Sequence, residues 1–572
     1  MILIATPKNR SNLAKFTDLQ WVYIGSYQGK GQTKGLLDQQ KRRFIGRDIE
    51  EIVDFARDNF VDSIGKISQY QDDKILWYSS RMASKSMSQT SMFHQYVYLK
   101  LLEKFLGDSD TDTLLVTDDD ELVSNIKKAM PENVRVLSQD RLYRKKIFER
   151  IKGVLRILRL VLLWFFFHLL KNKKLSDFNL LIHTWIDDRT FAKLPEFNDS
   201  YLGDLGKFLT ARGYSVGRLS PLRPPLKSIL KLRKWFENII HPLSYLTLSD
   251  LIRCVFTKFT VAFDKDTLSD IKDSETLSTL VQSEIEKENN SKKYLDYLVL
   301  FYAYKKIASR IKNETSIIYP FENQPWEKML NLAFDKKNRL GYQHSTIPFN
   351  WLDYQVSQHE KATPLPQTIL TAGKKWLYFL KNYYKDTPME EAGAIRYAYL
   401  FNKEVAQKQQ ISHLPPCIVV ALPISSSISL SMLKQLLNSL EKNKTLSNYI
   451  LIIKPHPYLP KQAQLREDFT KYKNCQFSSQ SINELLENCG LLITSGSTVA
   501  FESIFFGVKT LYFIPEEISL GLEHFIKDHL FIAYEEDFSG KLEEALESTN
   551  YPEVDIKEYF VPPNYEKFLK YL

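Results

Sequence analysis

Cysteine is scarce. Cys254, Cys417, Cys475 and Cys489 are the only four in 572 residues, too widely spread for a metal-ligand spacing or a disulfide framework. A reducing, cytoplasmic setting is therefore expected. Long apolar runs are lacking too: the stretch Val154–Phe167 contains Arg156 and Arg159, and its uninterrupted part is too short to span about 30 Å of hydrocarbon. The opening Met1-Ile2-Leu3-Ile4-Ala5-Thr6-Pro7 has neither the basic start nor the extended apolar core of a secretory signal. There is no internal repeat and no low-complexity tract. No Asp-x-Asp pair falls at a convincing strand-to-loop position, so no metal ion is expected. The net charge of +9 is modest and dispersed, which gives no reason to expect a nucleic-acid partner. A chain of 572 residues exceeds what one core supports, and its length suggests about three or four domains.

What is present is concentrated between Tyr449 and Phe513. The apolar run Tyr449–Ile453 breaks into Lys454-Pro455-His456-Pro457, and Leu491-Leu492-Ile493 breaks into Thr494-Ser495-Gly496-Ser497-Thr498. A helix-like segment, Val499–Phe506, and a third run, Thr510–Phe513, follow. Short β-rich runs ending in polar turns and feeding helices predict a parallel βαβ arrangement, whose ligands bind at the carboxyl ends of the strands. The Ser495–Thr498 turn predicts hydroxyls and backbone amides for an anion, with Lys454, His456 and Pro457 facing the same ligand. Each turn alone also reads as a proline-bounded bend or an ordinary helix cap. Taken together they predict a nucleotide-phosphate site.

These two motifs, Lys-Pro-His-Pro and Thr-Ser-Gly-Ser-Thr-x-x-x-Glu, resemble the nucleotide-binding half of GT-B glycosyltransferases, in particular bacterial sialyltransferases and capsule Kdo transferases. Upstream, Tyr319–Trp326 (YPFENQPW) and Gly341-Tyr342-Gln343-His344-Ser345 resemble a family of bacterial surface-carbohydrate biosynthesis proteins, and the likeness extends over roughly residues 178–550. The resemblance implies an α/β chain with a GT-B-like pair of Rossmann-type domains and a cleft between them. To these the sequence adds an N-terminal α/β unit and an interfacial helix. It further implies a metal-independent glycosyltransferase of surface polysaccharide (lipopolysaccharide O-antigen or capsule) with a CMP-activated keto sugar acid as donor and no other cofactor. The partners implied are a nucleotide sugar, a lipid-linked or oligosaccharide acceptor and an anionic membrane surface at the inner face of the cytoplasmic membrane. CDP-polyol phosphotransferases and UDP-sugar epimerases carry comparable turns, and an inactive scaffold in polysaccharide assembly is a further alternative.

Along the chain, residues 1–145 read as a small α/β unit with strands at Trp21–Ile24, Ile75–Tyr78 and Thr113–Thr117. Asp118–Glu121 is a helix cap or an acidic site, and Ser79–Ser86 a ligand loop or a solvated connection. Residues 146–176 predict a basic amphipathic helix at the membrane surface, with a buried helix bridging two domains as the other reading. Residues 177–385 are assigned to the acceptor-side domain, with Thr368–Gly373 holding its last strand, and 386–550 to the nucleotide-sugar domain. Residues 551–572 form a tail crossing back to the first half.

Transfer requires a stabilised leaving phosphate, a base for the acceptor hydroxyl and exclusion of water. The first falls to Lys454, His456, Pro457, Ser495, Gly496, Ser497 and Thr498. Glu502, one turn further on, is placed on a ribose hydroxyl or against a neighbouring Lys or Arg. For the base, Asp187, Asp188, Asp199 and Glu322 are candidates, with Asp188 and Glu322 favoured by position. His344 is an orienting donor, a ligand for a sugar carboxylate or a structural histidine.

Overall fold

The computed structural model describes the chain except residues 8–12, 14, 17, 35, 109–111, 138–141, 169–174, 187, 192–195, 221–237, 263–270, 272, 361–362, 402–416 and 457–468. Its described strands form three sheets, every one parallel. The last sheet is built from β12 (Cys417–Ala421), β13 (Ile450–Lys454), β14 (Cys475–Phe477), β15 (Leu491–Thr494), β16 (Lys509–Phe513) and β17 (Phe531–Ala533). Its spatial order is β14-β13-β12-β15-β16-β17, the doubly wound order that reverses direction between its first and fourth strands. Every residue of β12 and β15 is buried, as strands with helices on both faces require.

The middle sheet repeats the plan. It contains β5 (Leu180–His183), β6 (Val216–Leu219), β7 (Ile239–Ile240), β8 (Ser316–Pro320), β9 (Arg339–Gln343), β10 (Thr368–Thr371) and β11 (Met389–Glu391), in the order β11-β10-β9-β8-β5-β6-β7. Two consecutive doubly wound sheets facing one another make this a GT-B-like pair of Rossmann-type domains. The boundary drawn at residue 385 needs correction: β11 pairs with β10 through Ile369–Thr371, so the first domain continues past it. Three mainly polar residues (Met389-Glu390-Glu391) on a sheet edge carry no apolar signal for a strand.

The N-terminal unit has the order β2-β3-β1-β4, from β1 (Ile2–Ala5), β2 (Gln20–Ile24), β3 (Thr113–Thr117) and β4 (Val134–Val136). The strand expected at Ile75–Tyr78 is a helix, Lys74–Tyr78, because the Asp73 side chain caps it by accepting from the Leu76 amide. Asp119 is likewise the N-cap of the Asp120–Ala129 helix, and Asp118 accepts from the Ser26 amide at 2.8 Å. The Ser79–Ser86 loop is neither solvated nor open to a ligand. Its polar side chains are buried, with Arg81 on Glu284 and Glu288 and Lys85 Nζ 2.6 Å from Glu360.

The basic stretch forms one helix, Leu142–His168. One face packs on the Ser274–Ser291 helix. There Gly153 is required, since a Cβ would stand 2.2 Å from the Asn290 carbonyl oxygen. Trp164 Nε1 donates to the Leu246 carbonyl at 2.7 Å. The opposite face leaves Ile147, Phe148, Ile151, Val154, Leu155, Leu158, Val161, Leu162 and Phe165 exposed. No helix among the described residues is long and apolar enough to cross a membrane.

The tail crosses back to the first half. Val561 bridges Ala372 and Ala394 by backbone hydrogen bonds, Phe568 is buried in that domain's core, and Glu390 gathers Lys567, Lys570 and Tyr571.

Candidate active site

The carboxyl end of the last sheet carries three polar loops side by side. In register, Ala421 of β12 lies level with Lys454 of β13 on one side and Thr494 of β15 on the other. At ~4.8 Å per strand, the two turns singled out in the sequence stand about 10 Å apart across β12. The third loop, after β12, ends in Ser425, which caps the Ser426–Lys442 helix by accepting from the Ile428 amide. Gly496 adopts φ +54°, and nothing lies within 4 Å of where a Cβ would stand, so a ligand can approach the backbone there.

This turn is less open in hydrogen bonding than the sequence suggested. The Gly496 amide donates to Tyr512 Oη at 2.9 Å and the Val499 amide to Ser497 Oγ at 3.3 Å. Ser495 Oγ, buried, has no hydrogen-bond partner among the described residues, and Thr498 makes no side-chain cap there. Lys454 and His456 are half-buried, and burial lowers the pKa of each, so His456 presents a neutral imidazole near pH 7. Pro457 lies outside the described residues. Glu502 is buried and accepts from the Tyr399 hydroxyl; its partner is thus a tyrosine of the interdomain connection rather than a Lys or Arg.

Across the cleft, Glu322 follows β8 and His344 follows β9, and the two converge. His344 Nε2 is 3.7 Å from Glu322 Oε1. This is not an ion pair: burial pushes His344 down to about 3, leaving it neutral. Burial pushes the Glu322 carboxyl up to about 7, although a third of its side chain reaches solvent. That is the range in which a carboxylate serves best as a general base at neutral pH.

The loop is held by a residue that sequence reasoning missed. The Glu327 carboxylate accepts from the amides of Glu322, Asn323 and Gln324 at 2.9–3.1 Å, and Asn323 sits at φ +57°. The capping pattern Gln324-x-x-Glu327 was its available signal. A second missed residue is Arg396, an exposed side chain 3.4 Å from Ser345 Oγ. Its charge acts on Glu322, His344 and Glu502 alike, placing it between the two half-sites. It lies in a stretch that the sequence assigned to the nucleotide-sugar domain and that carries no motif.

Other candidates for the base fare differently. Asp188 opens a short 3-10 turn, Asp188–Phe191, and its side chain, like the whole of Asp187, lies outside the described residues. Asp199 is committed to structure, accepting from the Tyr201 and Leu202 amides at 2.9 and 3.0 Å.

Beside Glu322 opens a cavity of about 630 Å³. Its walls include Trp185 and Trp326 after β5 and β8, and Gln89 of the N-terminal unit. Gln89 Nε2 donates to Gln324 Oε1 at 2.6 Å. Trp326 stacks on His183 at 4.1 Å and meets Trp185 edge-on at 5.6 Å, an apolar platform of the kind that binds sugar rings.

No protein-family model matches the chain, and no curated protein matches it in sequence. Solved structures similar to it include Acinetobacter baumannii MurG, at 10% identity and TM-score 0.39 over 68% of this chain and 98% of that one. Arabidopsis thaliana UGT89C1 matches at 12% identity and TM-score 0.38 over 65% and 90%. An S. aureus MnaA–UDP co-structure matches at 10% identity and TM-score 0.37 over 68% and 94%. Likenesses this distant carry no argument about activity, which rests on the chain's own geometry.

Proposed function

We propose that the protein is a GT-B-like, nucleotide-sugar-dependent glycosyltransferase in which Glu322 is the general base. The observation that carries this reading is the Glu322 carboxyl in the wall of the cavity, after β8 and 3.7 Å from His344 after β9, where burial raises it to about 7. His456, Ser495, Gly496, Ser497 and Thr498 receive the donor's phosphate, with Lys454 alongside. Glu322 takes the proton of the acceptor hydroxyl as the new glycosidic bond forms and the nucleotide leaves with the electron pair of the broken bond. His344 remains neutral and orients the acceptor or the donor's carboxylate.

The donor class is a CMP-activated keto sugar acid. Its support is the motif resemblance together with Arg396, a guanidinium in the cleft suited to a sugar carboxylate. The same resemblance places the product in a bacterial surface polysaccharide. The exposed apolar face of Leu142–His168, with its basic residues, would hold the enzyme peripherally on an anionic membrane. No divalent ion is assigned to the reaction.

Incubating the purified protein with CMP-Kdo, CMP-sialic acid and UDP-N-acetylglucosamine, with and without magnesium, tests this reading through nucleotide release. Magnesium-independent release of CMP, lost in His456→Ala, is the expected result. Release of UDP alone, without acceptor, would replace it with the epimerase reading.

A further inference from the structure

The cavity beside Glu322 has a second wall that the transfer reaction itself does not explain. Lys152, Leu155, Arg156, Arg159, Leu160 and Leu163 of the Leu142–His168 helix line it opposite Trp185 and Trp326. Leu155 is shared: it lines the cavity and is also 58% exposed as part of the apolar stripe. The stripe continues from it through Leu158, Leu162 and Phe165, at the three- and four-residue spacing that keeps side chains on one helix face. An apolar track therefore leads from the surface to the cavity mouth.

The cations there are not equivalent. Arg156 is engaged, donating to the Ser291 carbonyl at 2.6 Å and lying 3.6 Å from Asp296. Lys152 lies 2.6 Å from Glu149. Arg159 is exposed and makes no hydrogen bond or ion pair with another described residue. An uncommitted guanidinium at the junction between an apolar track and an aromatic-walled cavity suits a phosphate with a hydrocarbon on one side and a sugar on the other.

We infer that this cavity is the seat of a lipid-phosphate-linked acceptor. The hydrocarbon lies along Leu155, Leu158 and Leu162, the linking phosphate on Arg159, and the sugar on Trp185 and Trp326 with its hydroxyl toward Glu322. The inference rests on the transferase reading and names the acceptor class for that same site. The volume of about 630 Å³ falls within the roughly 300–1,000 Å³ of ligand pockets. A phospholipid of the bulk membrane would use the stripe but not a cavity that ends at a base. A soluble oligosaccharide would use the cavity but not the stripe.

The test is binding of farnesyl phosphate to the full-length protein, below its micelle concentration, followed by tryptophan fluorescence. Farnesol, inorganic phosphate and dihexanoyl phosphatidylglycerol are the comparison ligands, and CMP binding is measured on the same samples. Farnesyl phosphate should bind at least tenfold more tightly than each of the three. Arg159→Ala should weaken it at least tenfold with CMP affinity unchanged, and Arg159→Lys should restore part of the loss. Equal binding of farnesol or of the phosphatidylglycerol, or indifference to Arg159→Ala, would overturn the inference. Loss of CMP binding alone would count against the transferase reading while leaving the lipid result standing.

Discussion

Glu322 is where the chemistry and the energetics meet. With its folded-state pKa at about 7, the rate constant kcat/KM should fall on the acid side of a limb near pH 7, and Glu322→Gln should remove that limb. The substitution should lower kcat by about 10²–10⁴-fold, the usual worth of a positioned base, while nucleotide affinity is kept. Stability should move the other way. A carboxyl whose pKa is raised on folding binds its proton more tightly in the folded state, so its contribution is complete below the ordinary carboxylate range and declines as pH rises through about 7. Glu322→Gln should therefore be more stable than the wild type at pH 8 and show no such gain at pH 4, read from thermal melts. Glu327→Gln should lower kcat without touching CMP affinity, because an amide group replaces one of the two carboxyl oxygens that accept from the three amides fixing the Glu322 loop. Glu322 was legible because it closes an apolar run, and His344 because it stands in the Gly341–Ser345 stretch. Arg396 was not, since an arginine in a connecting segment has no strand-end signal and only the fold brings it to the cleft.

At the scale of elements, the Leu142–His168 helix divides its residues cleanly. Its packed face needs Gly153, so Gly153→Leu should dislodge it from Asn290 and expose new protease sites without unfolding either Rossmann domain. Its free face should govern membrane association. Leu158→Glu with Leu162→Glu should abolish co-sedimentation with vesicles containing phosphatidylglycerol, whereas unchanged partitioning would assign the stripe to some other contact. The sequence reading offered a membrane helix or a bridging helix as alternatives, and the structure gives the helix one face suited to each. Leu491–Thr494, sealed in its sheet, and Ile450–Lys454, buried at alternate residues, were readable as short apolar runs between turns. Lys74–Tyr78 was not: a run of five has no periodicity that separates helix from strand, and the cap at Asp73 decided it. The short edge strands β7, β11 and β14 also lacked a pattern, being two or three residues long.

At the scale of the whole molecule, the N-terminal unit touches both Rossmann-type domains. On one side Gln89 meets Gln324. On the other, Lys30 and Arg42 pair with Glu516 and Glu535 of the last domain, all four side chains no more than 11% exposed. A unit bonded to both domains restrains their relative motion, and product release through opening of the cleft is then tied to its contacts. Removing one member of a buried ion pair leaves the others uncompensated and typically costs about 3–5 kcal/mol. Glu535→Ala should accordingly lower the melting temperature by several degrees. This bridging was invisible in the sequence because its partners are separated by 235 positions on one side and more than 470 on the other, and Gln89, Lys30, Arg42, Glu516 and Glu535 belong to no motif.

The central claim is that the strand-end loops of the last domain hold a nucleotide while Glu322 acts from across the cleft. Calorimetric titration of CMP, CDP, UDP and GDP into the wild type, His456→Ala and Glu322→Gln, with and without magnesium, tests it most directly. The account predicts selective, magnesium-independent CMP binding that is lost in His456→Ala and intact in Glu322→Gln. Preference for UDP or GDP would contradict the donor assignment, and absence of binding to any nucleotide would contradict the account as a whole.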